Sequence, residues 1–280
     1  MGCFLTTPHI LTPNTPETLI MHHVRKNTRR LDVSGSGNSM LFVDKCNILW
    51  KICTTELVQM AELIQINNTI VMALPNSNYL LKPISVTRLS PNVVCICQPM
   101  AECDLYEWGS VPFKWDIVTK FLKQVADGIR WLHDLNICHG DIKPENIVIM
   151  DLNAYIIDFD FIASLEDKTQ FQCHTKNFKP SSEIISEWDV SNSIVSKRCD
   201  VYAFGKTILF MLFRLQSHRG NISILWWRKN YILSGHAHNF QGLEKLWADI
   251  AFRCCRRNPP EIIPTIISTE IGQIISSGSK

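Results

Sequence analysis

The sequence predicts an α+β fold, β-rich at its beginning and mainly helical afterwards. Three observations carry that reading. Residues 47–52 and 92–100 are short apolar runs of the kind that form strands. Residues 121–137 place Phe121, Leu122, Val125, Ile129 and Leu132 at helical spacing, and residues 208–213 are apolar on every side, as a fully buried helix is. Between these helical stretches, residues 147–149 and 155–157 read as two short strands around a turn.

The bulk properties narrow the class. A chain of 280 residues is long enough for one large domain or two lobes with a sizeable core. With 46% hydrophobic and 19% charged residues, the balance is that of a globular protein. A net charge of +2 is too small to argue for nucleic acid or an anionic membrane, and no nucleic-acid partner is expected. No apolar run is long enough to span a bilayer, and the N-terminus lacks a secretory layout, so a cytoplasmic location is expected. The 11 cysteines are odd in number and scattered. Cys95-x-Cys97 and Cys254-Cys255 lack zinc spacing, so all are expected as reduced thiols behaving as small core hydrophobes.

Taken in order, residues 1–29 read as an N-terminal extension with three prolines. Its first residues fit the M-G-x-x-x-[ST] pattern, which makes Gly2 a candidate for myristoylation and Cys3 for palmitoylation. One acyl chain binds membranes only marginally, and Arg25, Lys26, Arg29 and Arg30 are the basic cluster available to assist it. Next, Gly35 and Gly37 form a G-x-G turn, where a missing Cβ lets backbone N–H groups approach an anion. Lys51 sits in the strand at 47–52. Residues 54–74 carry Leu57, Val58, Ala61, Leu63, Ile64, Ile70, Val71 and Leu74, mostly at helical spacing. Asp104 is the expected N-cap of the following helix.

The chemistry concentrates between residues 138 and 160. Asp141 is followed by Lys143 and Asn146, and a second carboxylate, Asp158, closes an apolar run. Phosphoryl transfer needs this inventory: a carboxylate to orient a hydroxyl, a cation for the γ-phosphate, and an amide and a carboxylate to hold Mg²⁺. The group lies on a loop after a buried helix, where reacting side chains are commonly carried.

These motifs resemble those of the eukaryotic-type protein kinase family, on its serine/threonine branch. His139-Gly140-Asp141-Ile142-Lys143-Pro144-Glu145-Asn146 is similar to H-R-D-L-x-x-x-N, and Asp158-Phe159-Asp160 to D-F-G. Gly35 and Gly37 match two glycines of the glycine-rich loop, with Met40 at the third, and Lys51 matches the lysine of V-A-I-K. Residues 200–205 resemble D-V-W-S-F-G at a helix start, and residues 180–183 stand in for A-P-E.

The resemblance implies a bilobal fold. A small β-rich lobe covers about residues 30–97 and a mainly helical lobe about 101–270, followed by a tail at 271–280, with ATP between the lobes. It implies Asp141 and Lys143 as catalytic residues, and Asn146 and Asp158 as Mg²⁺ ligands. Gly35, Gly37, Lys51 and the backbones of Gln98 and Met100 would be nucleotide-binding, and Cys97 would take the gatekeeper position. Thr175 would contact Asp141 and Lys143, and Asp200 would brace the catalytic loop. Trp226, Trp227 and Trp247 are expected as core. Near the end the family's arginine is replaced by Ile263, leaving Arg253, Arg256 or Arg257 to meet Glu183.

Two functions follow as expectations. The first is a Mg-dependent serine/threonine kinase acting on a protein hydroxyl. With Gly140 in place of the arginine that reads a phosphorylated loop, it would not depend on activation-loop phosphorylation. The second is a catalytically impaired pseudokinase acting as a nucleotide-binding scaffold or an inhibitor of a partner. It draws on Met40, Gly140, Asp160 and on Asn67, which takes the place of the helix glutamate that pairs with the strand lysine. That ion pair is either absent or rebuilt through Glu62. The compact lobes resemble kinases of large DNA viruses.

Overall fold

The computed structural model describes residues 28–31, 39–164, 175, 177–181, 185, 192–218 and 242–255. Gly2, Cys3, Gly35, Gly37, Trp226, Trp227, Glu183 and residues 258–265 lie outside these. The chain divides into two compact units, residues 1–76 with 81–100, and residues 77–80 with 101–280.

Among the described residues, the first unit is a five-stranded antiparallel sheet and one helix. The strands are β1 (Thr28–Leu31), β2 (Ser39–Asp44), β3 (Ile48–Thr54), β4 (Ser85–Ser90) and β5 (Val93–Pro99), in the order β1-β2-β3-β5-β4. The β2–β3 turn is built by one side chain. Asp44 Oδ1 accepts from the N–H of Cys46 and Ile48, and its Oδ2 accepts from Trp50 Nε1. Asn47 then takes the left-handed backbone (φ 57°) that a short polar side chain tolerates.

Strand alternation sorts the core into two faces. Trp50 and Ile52 pack with Leu89, Cys95 and Cys97 on one side. Cys53 packs with Val94 and Ile96 on the other, where helix α1 (Val58–Ala73) covers them with Ala61 and Ile64. No side chain caps the helix start, but the chain before it is tied to the β4–β5 turn: Thr55 N donates to Asn92 O at 2.9 Å. At the far end Lys82 Nζ donates to the carbonyls of Met72 (3.3 Å) and Leu74 (2.7 Å), where a cation also suits the helix dipole.

The second unit is mostly helical. It contains β6 (Cys103–Asp104), α2 (Leu105–Trp108), α3 (Trp115–Asp134), β7 (Ile137–Cys138), β8 (Ile147–Met150), β9 (Asn153–Ile156), β10 (Ala163–Ser164), α4 (Asn192–His218) and α5 (Gly242–Cys254). Asp104 caps α2 by accepting from Glu107 N at 2.7 Å. Helix α3 buries Phe121, Leu122, Val125, Ile129 and Leu132, the spacing the sequence displays. Strands β6, β8 and β9 form a small antiparallel sheet, and β10 pairs with β7. Trp247 is fully buried, and its Nε1 donates to Thr119 Oγ1 on α3 at 3.1 Å.

Helices α4 and α5 pack closely enough to need Gly205. A Cβ there would lie 2.6 Å from Cys254 Cβ, 2.8 Å from Cys255 Sγ and 3.1 Å from Ala251 O. One sequence expectation is corrected here. Asp200 does not open α4, which already begins at Asn192, so the carboxylate projects from inside the helix. The nine cysteines among the described residues are all free thiols, six of them buried, and no described helix is long and apolar enough to cross a membrane.

Candidate active site

The site is built on the loop between β7 and β8, and its frame is a buried carboxylate. Asp200 is 1% exposed, and its oxygens accept from His139 N (2.8 Å), Gly140 N (2.9 Å) and His133 Nε2 (2.9 Å). A buried carboxylate is costly unless hydrogen-bonded, and three donors meet that need while fixing the loop backbone. Gly140 has φ 83°, a conformation open to glycine at little cost and strained for the arginine of the family motif. His133 belongs to no motif of the sequence. Its signal was its place at the end of α3, where a last-turn histidine lies close to the following loop.

His139 is fully buried and links the loop to the segment carrying Asp158. Its Nε2–H donates to Ile157 O at 3.0 Å, and its Nδ1 accepts from Asp141 N at 3.2 Å. Those two bonds together require the neutral Nε2–H tautomer. The same ring meets Phe159 edge-on, with centroids 5.6 Å apart.

Asp141 stands at the centre, 4% exposed. Its Oδ2 accepts from Lys143 Nζ at 2.6 Å and from Asn146 Nδ2 at 3.0 Å. Its Oδ1 accepts from Thr175 Oγ1 at 2.5 Å, and Thr175 Oγ1 accepts in turn from Lys143 Nζ at 3.0 Å. Phe178 and Lys179 both donate backbone N–H groups to Thr175 O, which seats the threonine in a tight turn. The contact of Thr175 with Asp141 and Lys143, implied by the resemblance, is present.

Asn146 is held by a short 3₁₀ turn (Pro144–Asn146), with Nδ2 also donating to Asp141 O at 2.8 Å. That commitment leaves Oδ1 as the atom able to meet a cation. The β8–β9 ladder carries the second acid to it: Ile147 pairs with Ile156, and Ile157 N donates to Asn146 O at 3.0 Å. Asp158 follows directly, with φ 66°. A non-glycine residue in this region is strained, and such strain is concentrated at functional sites. Phe159 (1% exposed) and the buried Asp160 anchor the turn beyond it. An amide oxygen and a carboxylate are all-oxygen donors, the kind Mg²⁺ takes alongside phosphate and water.

The remaining candidates lie in the first unit. Lys51 is on the central strand β3, paired with Leu41 of β2 and Ile96 of β5. It therefore shares the sheet face that α1 covers. Glu62, the residue expected to rebuild an ion pair with Lys51, is instead directed to Arg88 of β4: its carboxylate, half-exposed, meets the guanidinium at 3.0 Å.

Two expectations on β5 need correction. Cys97 faces Trp50, Ile52 and Leu89, away from the face of Lys51, so it does not stand as a gatekeeper beside the lysine. Met100 N, expected to meet adenine, donates instead to Asn47 O at 2.9 Å. By the alternation of an antiparallel ladder, Gln98 opposite Leu49 is a bonded pair of the same kind. Pro99, which has no N–H, falls opposite Ile48 at the non-bonded position between them.

Residues 44–259 match the family model of the protein kinase domain. Over 101 residues the chain is 35% identical to a serine/threonine-protein kinase of Acanthamoeba polyphaga mimivirus, covering 36% of this chain and 36% of that protein. Over 99 residues it is 32% identical to death-associated protein kinase 2 of Homo sapiens, covering 34% of this chain and 26% of that one. Over 108 residues it is 33% identical to a G-type lectin S-receptor-like serine/threonine-protein kinase of Arabidopsis thaliana, covering 37% of this chain and 13% of the relative. The chain thus spans well under two thirds of the length of each of these relatives.

Proposed function

The chain belongs to the protein kinase family, and on that premise we propose that it transfers the γ-phosphate of ATP to a serine or threonine hydroxyl of a protein, with Mg²⁺. The observation that carries this reading is the closed arrangement of Asp141, Lys143, Asn146 and Thr175, in which every polar atom of the Asp141 carboxylate is directed. Asp141 orients the incoming hydroxyl and takes its proton as the oxygen–phosphorus bond forms and the bond from the γ-phosphorus to the bridging oxygen breaks, with ADP as the leaving group. Lys143 Nζ, already beside that carboxylate, meets the charge on the transferring group. Asn146 Oδ1 and the Asp158 carboxylate are the residues that would hold Mg²⁺. The cation, when bound, neutralises phosphate charge. Lys51 holds the non-transferred phosphates.

Gly140 supports independence from loop phosphorylation. The loop is fixed by Asp200 through backbone N–H groups, and the position that would read a phosphate has no side chain. The second reading, a catalytically impaired pseudokinase acting as a nucleotide-binding scaffold or an inhibitor of a partner, is favoured by one observation: the Met100 donor is taken up by Asn47.

The test is acid hydrolysis of a basic carrier protein after incubation with γ-labelled ATP, with and without EDTA. Label on phosphoserine or phosphothreonine that disappears with chelation is expected. Label on tyrosine, or none from folded protein, would count against the serine/threonine assignment.

A further inference from the structure

Arg214, near the end of α4, carries a charge that no described carboxylate pairs. Its Nε is buried without a hydrogen-bond partner, and none of the ion pairs among the described residues includes it. It lies instead over two aromatic rings. Its Cζ is 5.0 Å from the ring centroid of Tyr106 on α2 and 5.1 Å from that of Phe210, one turn earlier on α4. The two rings are themselves stacked, with centroids 5.3 Å apart and 22° between their planes. The arginine stem passes Gly109, where a Cβ would stand 3.4 Å from Arg214 Cγ. Aromatic rings hold a guanidinium by its π face, while its N–H groups radiate in its own plane and still need acceptors. A buried donor left without one costs free energy, which an acceptor brought by a ligand offsets.

The patch is open on one side and adjoins the elements that carry the chemistry. Tyr106 is 43% exposed, and Phe210 and Arg214 are half-buried. Helix α2 rests on the 3₁₀ turn Pro144–Asn146, and β6, which leads into α2, pairs with β8, which follows that turn. The nearby Asp104 carboxylate is committed to capping α2. We propose that Tyr106, Phe210 and Arg214 form a docking subsite for an acidic residue of the protein substrate. The guanidinium receives the carboxylate, and the exposed Tyr106 ring receives the aliphatic stem. Charge complementarity selects this occupant: an unpaired cation on an aromatic floor attracts an anion and repels a basic segment. The proposal rests on the reading that the chain phosphorylates a protein, and it names the substrate class, hydroxyl-bearing segments with a nearby glutamate or aspartate.

The test uses the full chain and an array of fluorescent synthetic peptides. Each has one serine, with Glu, Gln or Lys placed in turn at every flanking position. Binding is read by anisotropy, and transfer by label from γ-labelled Mg-ATP. The expected result for the parent is a preference of about tenfold for Glu over Gln at one position, the weight of one hydrogen bond between charged groups, and it should shrink as salt is raised. Arg214→Gln should bring that ratio to about one, Arg214→Lys should retain part of it, and Arg214→Glu should turn it toward Lys. Melting curves of the variants separate loss of preference from loss of fold, and the salt dependence of the parent tests the charge with no variant at all.

No preference for Glu over Gln at any position in the parent overturns the proposal, and so does a preference that Arg214→Gln leaves intact. The two readings fail separately. Arg214-dependent binding of Glu peptides to a folded chain that transfers no label would sink the kinase reading and keep the acidic docking site. Transfer to serine with no acidic preference would do the reverse.

Discussion

The loop between β7 and β8 and the sheet unit keep the expected arrangement to different degrees. In the loop, Asp200, His133, His139, Asp141, Lys143, Asn146 and Thr175 form one connected set of hydrogen bonds, nearly all buried. In the sheet unit, the groups expected to serve the nucleotide have been redirected: Glu62 to Arg88, the Met100 N–H to Asn47, the Cys97 thiol to the far face. The difference has a physical cause. A buried polar network loses most when one member leaves, because the others are stranded without water, so it resists piecemeal change. A half-exposed ion pair such as Glu62–Arg88 can be exchanged at little cost.

Five substitutions would break or sharpen this contrast. The largest effect is expected from Asp141→Asn, which should lower the transfer rate of the folded protein by about 10²–10⁴-fold, the usual weight of a general base, and lower the melting temperature as well, because the Lys143 ammonium loses its carboxylate. Asp200→Ala removes the acceptor of three buried donors. It should cost about 3 kcal/mol or more in urea unfolding and carry activity down with it, because each stranded buried donor costs about 1–3 kcal/mol. Gly205→Ala should cost about 1–3 kcal/mol by overpacking between α4 and α5, leaving the ATP KM unchanged in the fraction that stays folded. Glu62→Gln should be smallest, under about 1 kcal/mol, because the charge it removes is half-exposed and Arg88 keeps its bonds to Ser90 O and Pro91 O; Arg88→Met, which removes those bonds too, should cost somewhat more. If Glu62→Gln instead abolished transfer, the sheet unit would be as tightly coupled as the loop and the contrast would be wrong.

What could be read from sequence was whatever depends on local spacing. The α3 stripe, the Asp104 cap, the two strands around residues 147–157 and the order Asp141, Lys143, Asn146, Asp158 are fixed by near neighbours. Lys51 was legible as a strand lysine for the same reason. What escaped was register and long-range pairing. A shift of one residue in β5 reverses every side chain, and this put Cys97 on the opposite face from its expected one. Glu62 found Arg88 across 26 residues, and His133 found Asp200 across 67, contacts that no local pattern announces. The beginning of α4 at Asn192 was hidden because the family-like motif at residues 200–205 marks a packing site inside the helix rather than its end.

The most direct test of the central claim, that the loop is a working phosphotransfer site, is the initial rate of γ-phosphate transfer from labelled Mg-ATP. It would be measured for the parent chain and for Asp158→Ala, with melting curves of both. The account predicts measurable transfer by the parent, background transfer by the variant, and folded protein in each case. A folded parent that transfers no label with Mg²⁺ or Mn²⁺, or a variant as active as the parent, would contradict it.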